Sequence, residues 1–409
     1  MFPRSSIRRN KQCEVRRMPE ESRKNYDFSN EMSEKVNKKL KGSKDMRTVK
    51  VNLDKKCLSS YEIRIGKDIT DRMVLLIAKN HKARHYAVIT DDCVGNLHGK
   101  NFLAALKDIG LNASLIEFPA GESSKNFNTI LDLAGKLMAS GSDRETCLIA
   151  LGGGVVGDIV GFIASIFMRG VDYIQIPTTL VAQVDSSIGG KTGIDLSFGK
   201  NLLGTFYQPC AVFASLSFLE TLPEKEFNNG LAEVIKYGII DDEKMFRTLE
   251  SDMEAIKSKD PKLMLGIVEN CCQIKKSVVE IDEKEHGLRR ILNFGHTLGH
   301  ALETISKYSI THGEGVALGM IAAARISEKM GYLENNATKR IESLIRLAGL
   351  PVKIPKSLDG EKIIAQLKMD KKKKGDIIHF VLLKKIGMPF INGNIEQKLI
   401  AAVIEEMKK

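Results

Sequence analysis

Cysteine is scarce in this chain of 409 residues: there are seven, and no two stand in a Cys-x-x-Cys pair. An odd number without such pairs argues against a disulfide framework and against a structural zinc module. The adjacent Cys271 and Cys272 are expected to be reduced helix residues. Long apolar runs are also absent, because no stretch reaches the roughly 18 uninterrupted apolar residues of a membrane span. These absences predict a soluble protein of a reducing compartment, the cytoplasm.

The positive charge is concentrated at the N-terminus. Residues 1–46 hold 13 Lys and Arg against 7 Asp and Glu, more than half of the net charge of +11. The segment has few apolar residues and no periodic face, so we predict a disordered basic tail. It lacks the apolar core of a secretory signal, and its glutamates argue against a transit peptide. We expect the tail to be dispensable, or translation to begin near Met46.

Two patterns divide the rest of the chain. From residue 47 to 222, short β-rich runs such as His85–Thr90 and Thr146–Leu151 alternate with helical stretches, as in a parallel sheet flanked by helices. From 223 to 409, helical patterns dominate, and the functional site is expected between the two halves. The predicted elements of the second half are helices at Glu226–Tyr237, Lys244–Ser258, Pro261–Glu280, Ile291–Ile305, Gly313–Met330 and Asn336–Ala348, and a hairpin at Ile377–Leu383 and Met388–Ile391.

Histidine is rare, with eight in the chain, yet three lie close together: His296, His300 and His312. The first two are four residues apart, so a helix would present them on one face. That spacing suits two metal ligands, or one ligand beside a catalytic acid or base. Glu233 could complete a His-His-Glu metal site with a position open for a substrate oxygen. Taken alone, such a histidine pair is more often an ordinary surface or core feature.

Further polar groups are in helical register with the histidines. Asn293 and Arg289 continue the stripe one and two turns before His296. A face with guanidinium, amide and imidazole groups suits a metal that shares its site with an anionic substrate.

A glycine-rich segment, Leu151–Phe162, follows a predicted strand and opens a helix. Its glycines let backbone N–H groups approach a pyrophosphate, and the helix N-terminus adds partial positive charge. The spacing is neither Gly-x-Gly-x-x-Gly nor a Walker loop, and tight helix–strand packing is the alternative. Asp158 inside this apolar helix is costly unless it binds a polar group. Two later glycine-bearing loops predict a site for a phosphorylated ligand. Their polar residues are Thr178, Thr179, Asp185, Lys191, Lys200 and Asn201.

From about Val49 to the C-terminus, the chain resembles the 3-dehydroquinate synthase family, the sugar-phosphate cyclases of the shikimate pathway. The resemblance is densest in Gly152–Pro209, Leu231–Gly238, Lys275–Glu303 and His312–Met320. It implies an α/β N-terminal Rossmann-like NAD-binding domain, residues 47–222, followed by a mostly α-helical metal-binding domain, residues 223–409. It also implies NAD and Zn²⁺ as cofactors, with Co²⁺ as a substitute metal, and a homodimer.

The resemblance implies a role for each matching position. The expected metal ligands are Glu233, His296 and His312. The positions expected at NAD are Asp91, Glu122, Lys125, Gly153, Gly154, Asp158, Thr178, Thr179 and Lys200. The positions expected at the substrate are Asp185, Lys191, Lys236, Lys275, Arg289, Asn293 and His300, with Asn201 on the phosphate side.

Some of these positions have more specific expectations. Lys275 and Arg289 are expected at a substrate carboxylate, and Asp185 and His300 in proton handling. Arg169 resembles an arginine that crosses the dimer interface. Three further matches concern single contacts. They are Lys371 or Lys372 at the phosphate, Glu285 as a support for the substrate lysines, and Cys93, which departs from the family near the adenosine.

The implied reaction converts 3-deoxy-D-arabino-heptulosonate 7-phosphate into 3-dehydroquinate and phosphate. It runs through transient oxidation by NAD, phosphate elimination, re-reduction, ring opening and an intramolecular aldol closure. One alternative is another sugar-phosphate cyclase, although substrates without a carboxylate would leave Lys275 and Arg289 unexplained. A second is a metal-dependent polyol dehydrogenase, which would form NADH. A nucleic-acid-binding function is disfavoured because the basic tail contains no recognised module.

Overall fold

The structure, a computed structural model, describes residues 46–53, 60–197, 199–373 and 378–409. The predicted tail before Met46 and the side chains of Lys371 and Lys372 lie outside the described residues. Asp45–Lys409 pack as one compact unit, so the division after residue 222 stays a prediction from the sequence.

The described residues form the following strands and helices. The strands are β1 (Arg47–Val51), β2 (Tyr61–Gly66), β3 (His85–Asp91), β4 (Ala113–Phe118), β5 (Thr146–Gly152), β6 (Tyr173–Pro177), β7 (Lys191–Leu196), β8 (Gly199–Phe206), β9 (Ala211–Ser215), β10 (Phe380–Lys385) and β11 (Met388–Asn392). The longer helices are α1 (Thr70–Asn80), α2 (Lys100–Asp108), α3 (Phe127–Ala139), α4 (Gly154–Ile166), α5 (Glu224–Ile240), α6 (Glu243–Lys257), α7 (Pro261–Ile281), α8 (His296–Ile305), α9 (His312–Lys329), α10 (Asn335–Leu347), α11 (Gly360–Lys373) and α12 (Gln397–Met407).

The N-terminal half is built on a seven-stranded sheet in the order β1-β2-β9-β6-β5-β3-β4. Every neighbouring pair except β1–β2 is parallel. Strands β5, β6 and β9 are buried at every position, as expected for a parallel sheet covered on both faces. Because β3, β5 and β6 are adjacent and parallel, the loops after Asp91, Gly152 and Pro177 meet at one edge. The predicted α/β architecture is confirmed.

In the second half, the described residues form helices and the hairpin β10–β11, which confirms the predicted change of pattern. Helices α5, α7 and α9 bury apolar faces in one core, and α9 is buried along most of its length. Cys271 and Cys272 lie buried and unbridged in α7, as predicted. Among the described residues, no helix has both the length and the apolar character to cross a membrane.

The predicted helix Ile291–Ile305 is wrong at its start. Residues Leu288–Asn293 form a separate 3₁₀ turn, and α8 begins only at His296. Gly295 separates the two with a φ of +81°, a left-handed conformation that glycine adopts without a steric penalty. The helical periodicity of the sequence continues through this break, so the periodicity alone could not indicate the break.

The break changes how two side chains reach the site. The continuous stripe predicted that Arg289 and Asn293 extend the histidine face of α8, but in the structure they do not. They belong to the preceding 3₁₀ turn, which Gly295 separates from α8. The residues are the expected ones, but a different element positions them.

Helices α8 and α9 pack against each other through four glycines, Gly295, Gly299, Gly315 and Gly319, which we call the glycine contact. A Cβ atom added at Gly319 would lie 1.8 Å from the carbonyl oxygen of Gly295. One added at Gly299 would lie 2.9 Å from the backbone of Gly315. These distances leave no space for a methyl group, so the two backbones touch directly. Because Gly295 faces Gly319 and Gly299 faces Gly315, the two helices run antiparallel at this contact.

Candidate active site

Three side chains from three helices meet in the second half of the chain. Glu233 comes from the buried middle of α5, and His296 and His312 are the first residues of α8 and α9. Each offers a ligand atom within 4.8 Å of the others. Glu233 Oε1 lies 3.5 Å from His296 Nε2 and 3.4 Å from His312 Nε2. We call these three residues the metal group.

The metal group fits a metal ion. Glu233 Oε1 is fully buried and accepts no well-formed hydrogen bond, although nearly all buried polar atoms have a partner. A cation between the three residues would satisfy it. Two imidazoles and one carboxylate are also the donor set of metal sites that keep one coordination position open.

Glu303 orients one of these histidines, a role that the sequence interpretation missed. Its Oε1 atom lies 3.0 Å from His312 Nδ1, which leaves Nε2 facing Glu233. Carboxylate partners of this kind fix the tautomer and the ring orientation of a ligand histidine. His296 has an analogous contact, because its Nδ1 lies 3.2 Å from the Phe294 carbonyl oxygen. The available signal was the position of Glu303 seven residues after His296, two turns along one helix face.

Asn229 connects the helices that carry the metal group, and it was also missed. Its side-chain oxygen accepts a hydrogen bond from the backbone N–H of Gly313. Gly313 follows His312, and Asn229 lies one turn before Glu233. The bond therefore links α5 to the first turn of α9, where the sequence alone offers no pairing signal.

A small cavity of ≈ 60 Å³ adjoins the metal group. It brings together six of the positions expected at the substrate, whereas His300 and Asn201 are not among its lining. Four of the lining residues are cations, which suits an anionic ligand. The lining residues are Asp185, Lys191, Lys236, Lys275, Glu285, Arg289, Leu292, Asn293 and His296.

Asp185 is the acidic centre of this cavity. Its Oδ1 lies 2.8 Å from Lys275 Nζ and 4.0 Å from Lys236 Nζ, and it accepts a hydrogen bond from the Tyr237 hydroxyl. Burial alone would raise the pKa of Asp185, but the two lysines hold it well below its ordinary value. The carboxylate is therefore ionised, and Tyr237 is a further partner that the sequence interpretation missed.

The two lysines beside Asp185 differ in charge behaviour. Burial lowers the pKa of Lys275 to about 8, and the nearby Arg289 adds to this effect, although Asp185 opposes it. Burial would also lower the pKa of Lys236, but Glu233 and Asp185 raise it above its ordinary value. Lys236 is only 1% exposed and is paired with Glu233 Oε2. This pair, three residues apart on α5, connects the metal group with the cavity.

Glu285 holds the opposite wall of the cavity. One of its oxygens pairs with Lys191, and the other lies 2.7 Å from Asn293 Nδ2. The Arg289 guanidinium is fixed by the carbonyl oxygens of Glu283 and, at 3.2 Å, Gly189. The cation and amide groups are thus oriented before any ligand arrives.

The positions expected at NAD lie at or near the carboxyl edge of the sheet, where β3, β5 and β6 end. Helix α4 begins after Gly153, and a Cβ atom at Gly153 would lie 3.0 Å from the Thr179 side chain. Gly154 follows, the Asp91 side chain accepts from Val94 N at 2.8 Å, and Thr178 is buried directly after β6. The glycine-rich segment therefore opens a helix N-terminus toward this edge.

Lys125 explains the buried carboxylate in α4. Its Nζ lies 2.5 Å from Asp158 Oδ2 and 2.5 Å from Asn201 Oδ1. Burial raises the pKa of Asp158, and Lys125 opposes this rise. Asn201 therefore lies beside Lys125 and outside the lining of the small cavity. Beside it, Lys200 Nζ lies 3.0 Å from Glu122 Oε1.

Besides Asn201, three further positions named in the sequence analysis lie outside the cavity lining. His300 is exposed, with its ring centroid 5.3 Å from that of His296 and 5.8 Å from that of His312. Arg169 is exposed, with a φ of +72°. Cys93 is an exposed, unbridged cysteine after β3.

Comparisons with known proteins agree with this architecture. The family models 3-dehydroquinate synthase N-terminal and 3-dehydroquinate synthase C-terminal match residues 115–229 and 230–373. The 3-dehydroquinate synthase of Desulforamulus reducens is 42% identical over 362 residues, covering 88% of this chain and 100% of that protein.

Solved structures of related cyclases share the fold. A 2-deoxy-scyllo-inosose synthase complexed with carbaglucose-6-phosphate, NAD⁺ and Co²⁺ has a TM-score of 0.81 at 27% identity, covering 88% of this chain and 100% of that one. The 2-epi-5-epi-valiolone synthase of Streptomyces hygroscopicus subsp. jinggangensis, with NAD⁺ and Zn²⁺ bound, has a TM-score of 0.78 at 28% identity, covering 85% and 96%. The fold, the matched segments and the full-length identity agree. The chain therefore belongs to the 3-dehydroquinate synthase family.

Proposed function

We propose that this protein is a 3-dehydroquinate synthase, which converts 3-deoxy-D-arabino-heptulosonate 7-phosphate into 3-dehydroquinate and phosphate. The observation that carries the proposal is the cationic cavity directly beside the metal group. A ligand there can present a hydroxyl to a metal ion while its anionic groups meet Lys275, Arg289 and Lys191. The full-length relatives named for this activity support the same substrate.

NAD and Zn²⁺ are the proposed cofactors. Glu233, His296 and His312 would hold the zinc, since their donor set and the unpartnered Glu233 oxygen fit it. The carboxyl edge of the sheet would hold NAD, with Gly153 and Gly154 at its pyrophosphate. When bound, NAD supplies a hydride acceptor and donor, and the metal supplies a Lewis acid at the oxidised hydroxyl.

The residues of the cavity have complementary roles in this proposal. Lys275 and Arg289 bind the substrate carboxylate, which fixes the orientation of the ring. Lys191 and Asn293, both oriented by Glu285, direct the phosphate so that it can take the neighbouring proton as it leaves. Asp185 is ionised and can accept a proton, directly or through water.

The positions outside the cavity keep proposed roles. His300 handles protons from its exposed place beside the metal group. Asn201, bonded to Lys125, is assigned to the phosphate side of the substrate, toward the nucleotide.

The reaction is tested by following phosphate release from 3-deoxy-D-arabino-heptulosonate 7-phosphate while NADH absorbance is recorded. We expect chelator-sensitive phosphate release with no accumulating NADH, because the hydride returns within each turnover. Steady NADH formation on a polyol, without phosphate release, would instead establish the dehydrogenase alternative. Equal turnover of a sugar phosphate without a carboxylate would contradict the roles of Lys275 and Arg289.

The activity should fall with rising pH because of Lys275. Its ammonium is charged below its pKa of about 8 and neutral above it, so its attraction for the substrate carboxylate is present below about pH 8 and lost above. We expect log(kcat/KM) to decline above this pH with a slope of about −1 per pH unit. In Lys275→Arg, which stays charged, the decline should move to higher pH. An unchanged profile in that variant would assign the decline to another group.

We also propose a homodimer. Several apolar side chains of the hairpin β7–β8 are exposed, which is typical of a surface covered by a partner. They are Leu196, Leu202, Leu203 and Phe206. Arg169 is also exposed, and we assign it to this interface. Light scattering should give a mass twice the 45.3 kDa of the chain, and the mass of a single chain would contradict the proposal.

A further inference from the structure

Lys200 is held from two sides, and the two partners come from different halves of the chain. Glu122, in the α/β half, lies 3.0 Å from its ammonium nitrogen. Tyr308, in the loop between α8 and α9, places its ring centroid 4.4 Å from the same nitrogen. The second contact joins Lys200, a position expected at NAD, to the loop between α8 and α9. These two helices begin with His296 and His312 of the metal group.

The backbone of this loop determines where the Tyr308 ring lies. Lys307 and Tyr308 have φ values of +52° and +62°, and two successive left-handed residues other than glycine are unfavourable. The Tyr308 N–H donates to the Glu303 carbonyl oxygen at 2.8 Å, and the Ile310 N–H donates to Ser306 Oγ at 3.2 Å. These bonds hold the unfavourable conformation.

Apolar packing does not account for the position of the ring. The Tyr308 side chain is 50% exposed, and its ring lies against the Lys200 ammonium. The ring is half-exposed and its loop is strained, yet it lies against the Lys200 ammonium. We therefore attribute the position of the ring to its contact with this cation.

We propose that Tyr308 is a positioning residue that holds the Lys200 ammonium toward bound NAD. The proposal rests on the function proposed above, with NAD as cofactor, and on the positions of Glu122 and Lys200 that the sequence analysis expects at NAD. A lysine ammonium has three N–H donors, and Glu122 accepts one of them. The aromatic face attracts the charge without being a strong acceptor, so donors remain for the ligand. Without the ring, Lys200 is free to turn toward Glu122 alone.

The test measures the dissociation constant of NAD by calorimetry on the full-length, zinc-loaded protein. Tyr308→Asn removes the ring while keeping a residue that tolerates the left-handed backbone. We expect NAD to bind about three-fold more weakly, the size of one partly exposed cation–π contact. Tyr308→Phe retains the ring and should bind NAD like the wild type.

Tyr332→Asn is the matched control. Tyr332 is also a half-exposed tyrosine, at 42%, but its ring contacts Phe390 rather than a cation. Its loss should leave NAD affinity unchanged. Equal weakening in both asparagine variants would show a general effect of losing a surface ring and would overturn the proposal.

The remaining outcomes separate this inference from the function on which it rests. If the wild type itself binds no NAD, the proposed cofactor is wrong. If the wild type binds NAD and Tyr308→Asn binds it equally well, only the role of Tyr308 is wrong. If Tyr308→Phe is as weak as Tyr308→Asn, the hydroxyl is responsible and the cation–ring contact is not.

Discussion

Glu233→Gln should lower the rate of phosphate release by at least about 10³-fold, since a Lewis acid contributes several kcal/mol to such a step and each 1.36 kcal/mol is tenfold in rate. The amide keeps the shape of the side chain but removes the only negative charge of the metal group. It also leaves the buried Lys236 with Asp185, 4.0 Å away, as its one anionic partner in that pocket. We expect less than stoichiometric zinc after dialysis, measured by atomic absorption.

Glu226→Gln is the control for this substitution. Glu226 lies on the same helix, α5, but is exposed, and its change should alter neither rate nor zinc content. Circular dichroism of both variants would show whether α5 remains folded. If Glu233→Gln kept full zinc and the full rate, the assignment of the metal group would have to be abandoned.

Gly319→Ala should destabilise the protein by about 3 kcal/mol or more, the upper range for overpacking a tight interior. The added Cβ would lie 1.8 Å from the Gly295 carbonyl oxygen, and a backbone atom cannot turn aside as a side chain can. Helices α8 and α9 must separate, which also moves His296 and His312 apart. We expect both a lower free energy of unfolding in urea and loss of bound zinc.

Gly266→Ala is the control, and it should change the free energy of unfolding in urea in the opposite direction. Gly266 lies in α7, and a Cβ atom there would meet nothing within 4 Å. Alanine should therefore stabilise the protein by up to about 1 kcal/mol through its helix propensity. Similar changes in stability for the two variants would show that the glycine contact is looser than its distances indicate.

The local pattern of the sequence was sufficient for the sheet and most helices. The apolar runs at His85–Thr90 and Thr146–Leu151 became β3 and β5 because a parallel strand buried on both faces leaves little choice of residue. The break at Gly295 was missed for the opposite reason. It exists because α9 approaches from elsewhere in the chain, and helical periodicity contains no information about that neighbour.

The residues of the candidate site also fall into those that the sequence pattern indicates and those that it does not. The four-residue spacing of His296 and His300 and the costly Asp158 both marked chemistry in the sequence. The partners Asn229, Glu303 and Tyr237 did not, because each contact depends on distant segments or on the direction of one side chain. Chemically unusual residues can thus be recognised from the sequence, whereas the residues that orient them can be identified only from the three-dimensional structure.

Gly295 lies against Gly319 and Gly299 against Gly315, so α8 and α9 run antiparallel and their first residues lie at opposite ends of the glycine contact. A metal ion bound by His296 and His312, and by Glu233 of α5, would therefore cross-link three helices. Because such an ion binds only the folded arrangement, it would stabilise the folded chain in addition to supplying its chemistry.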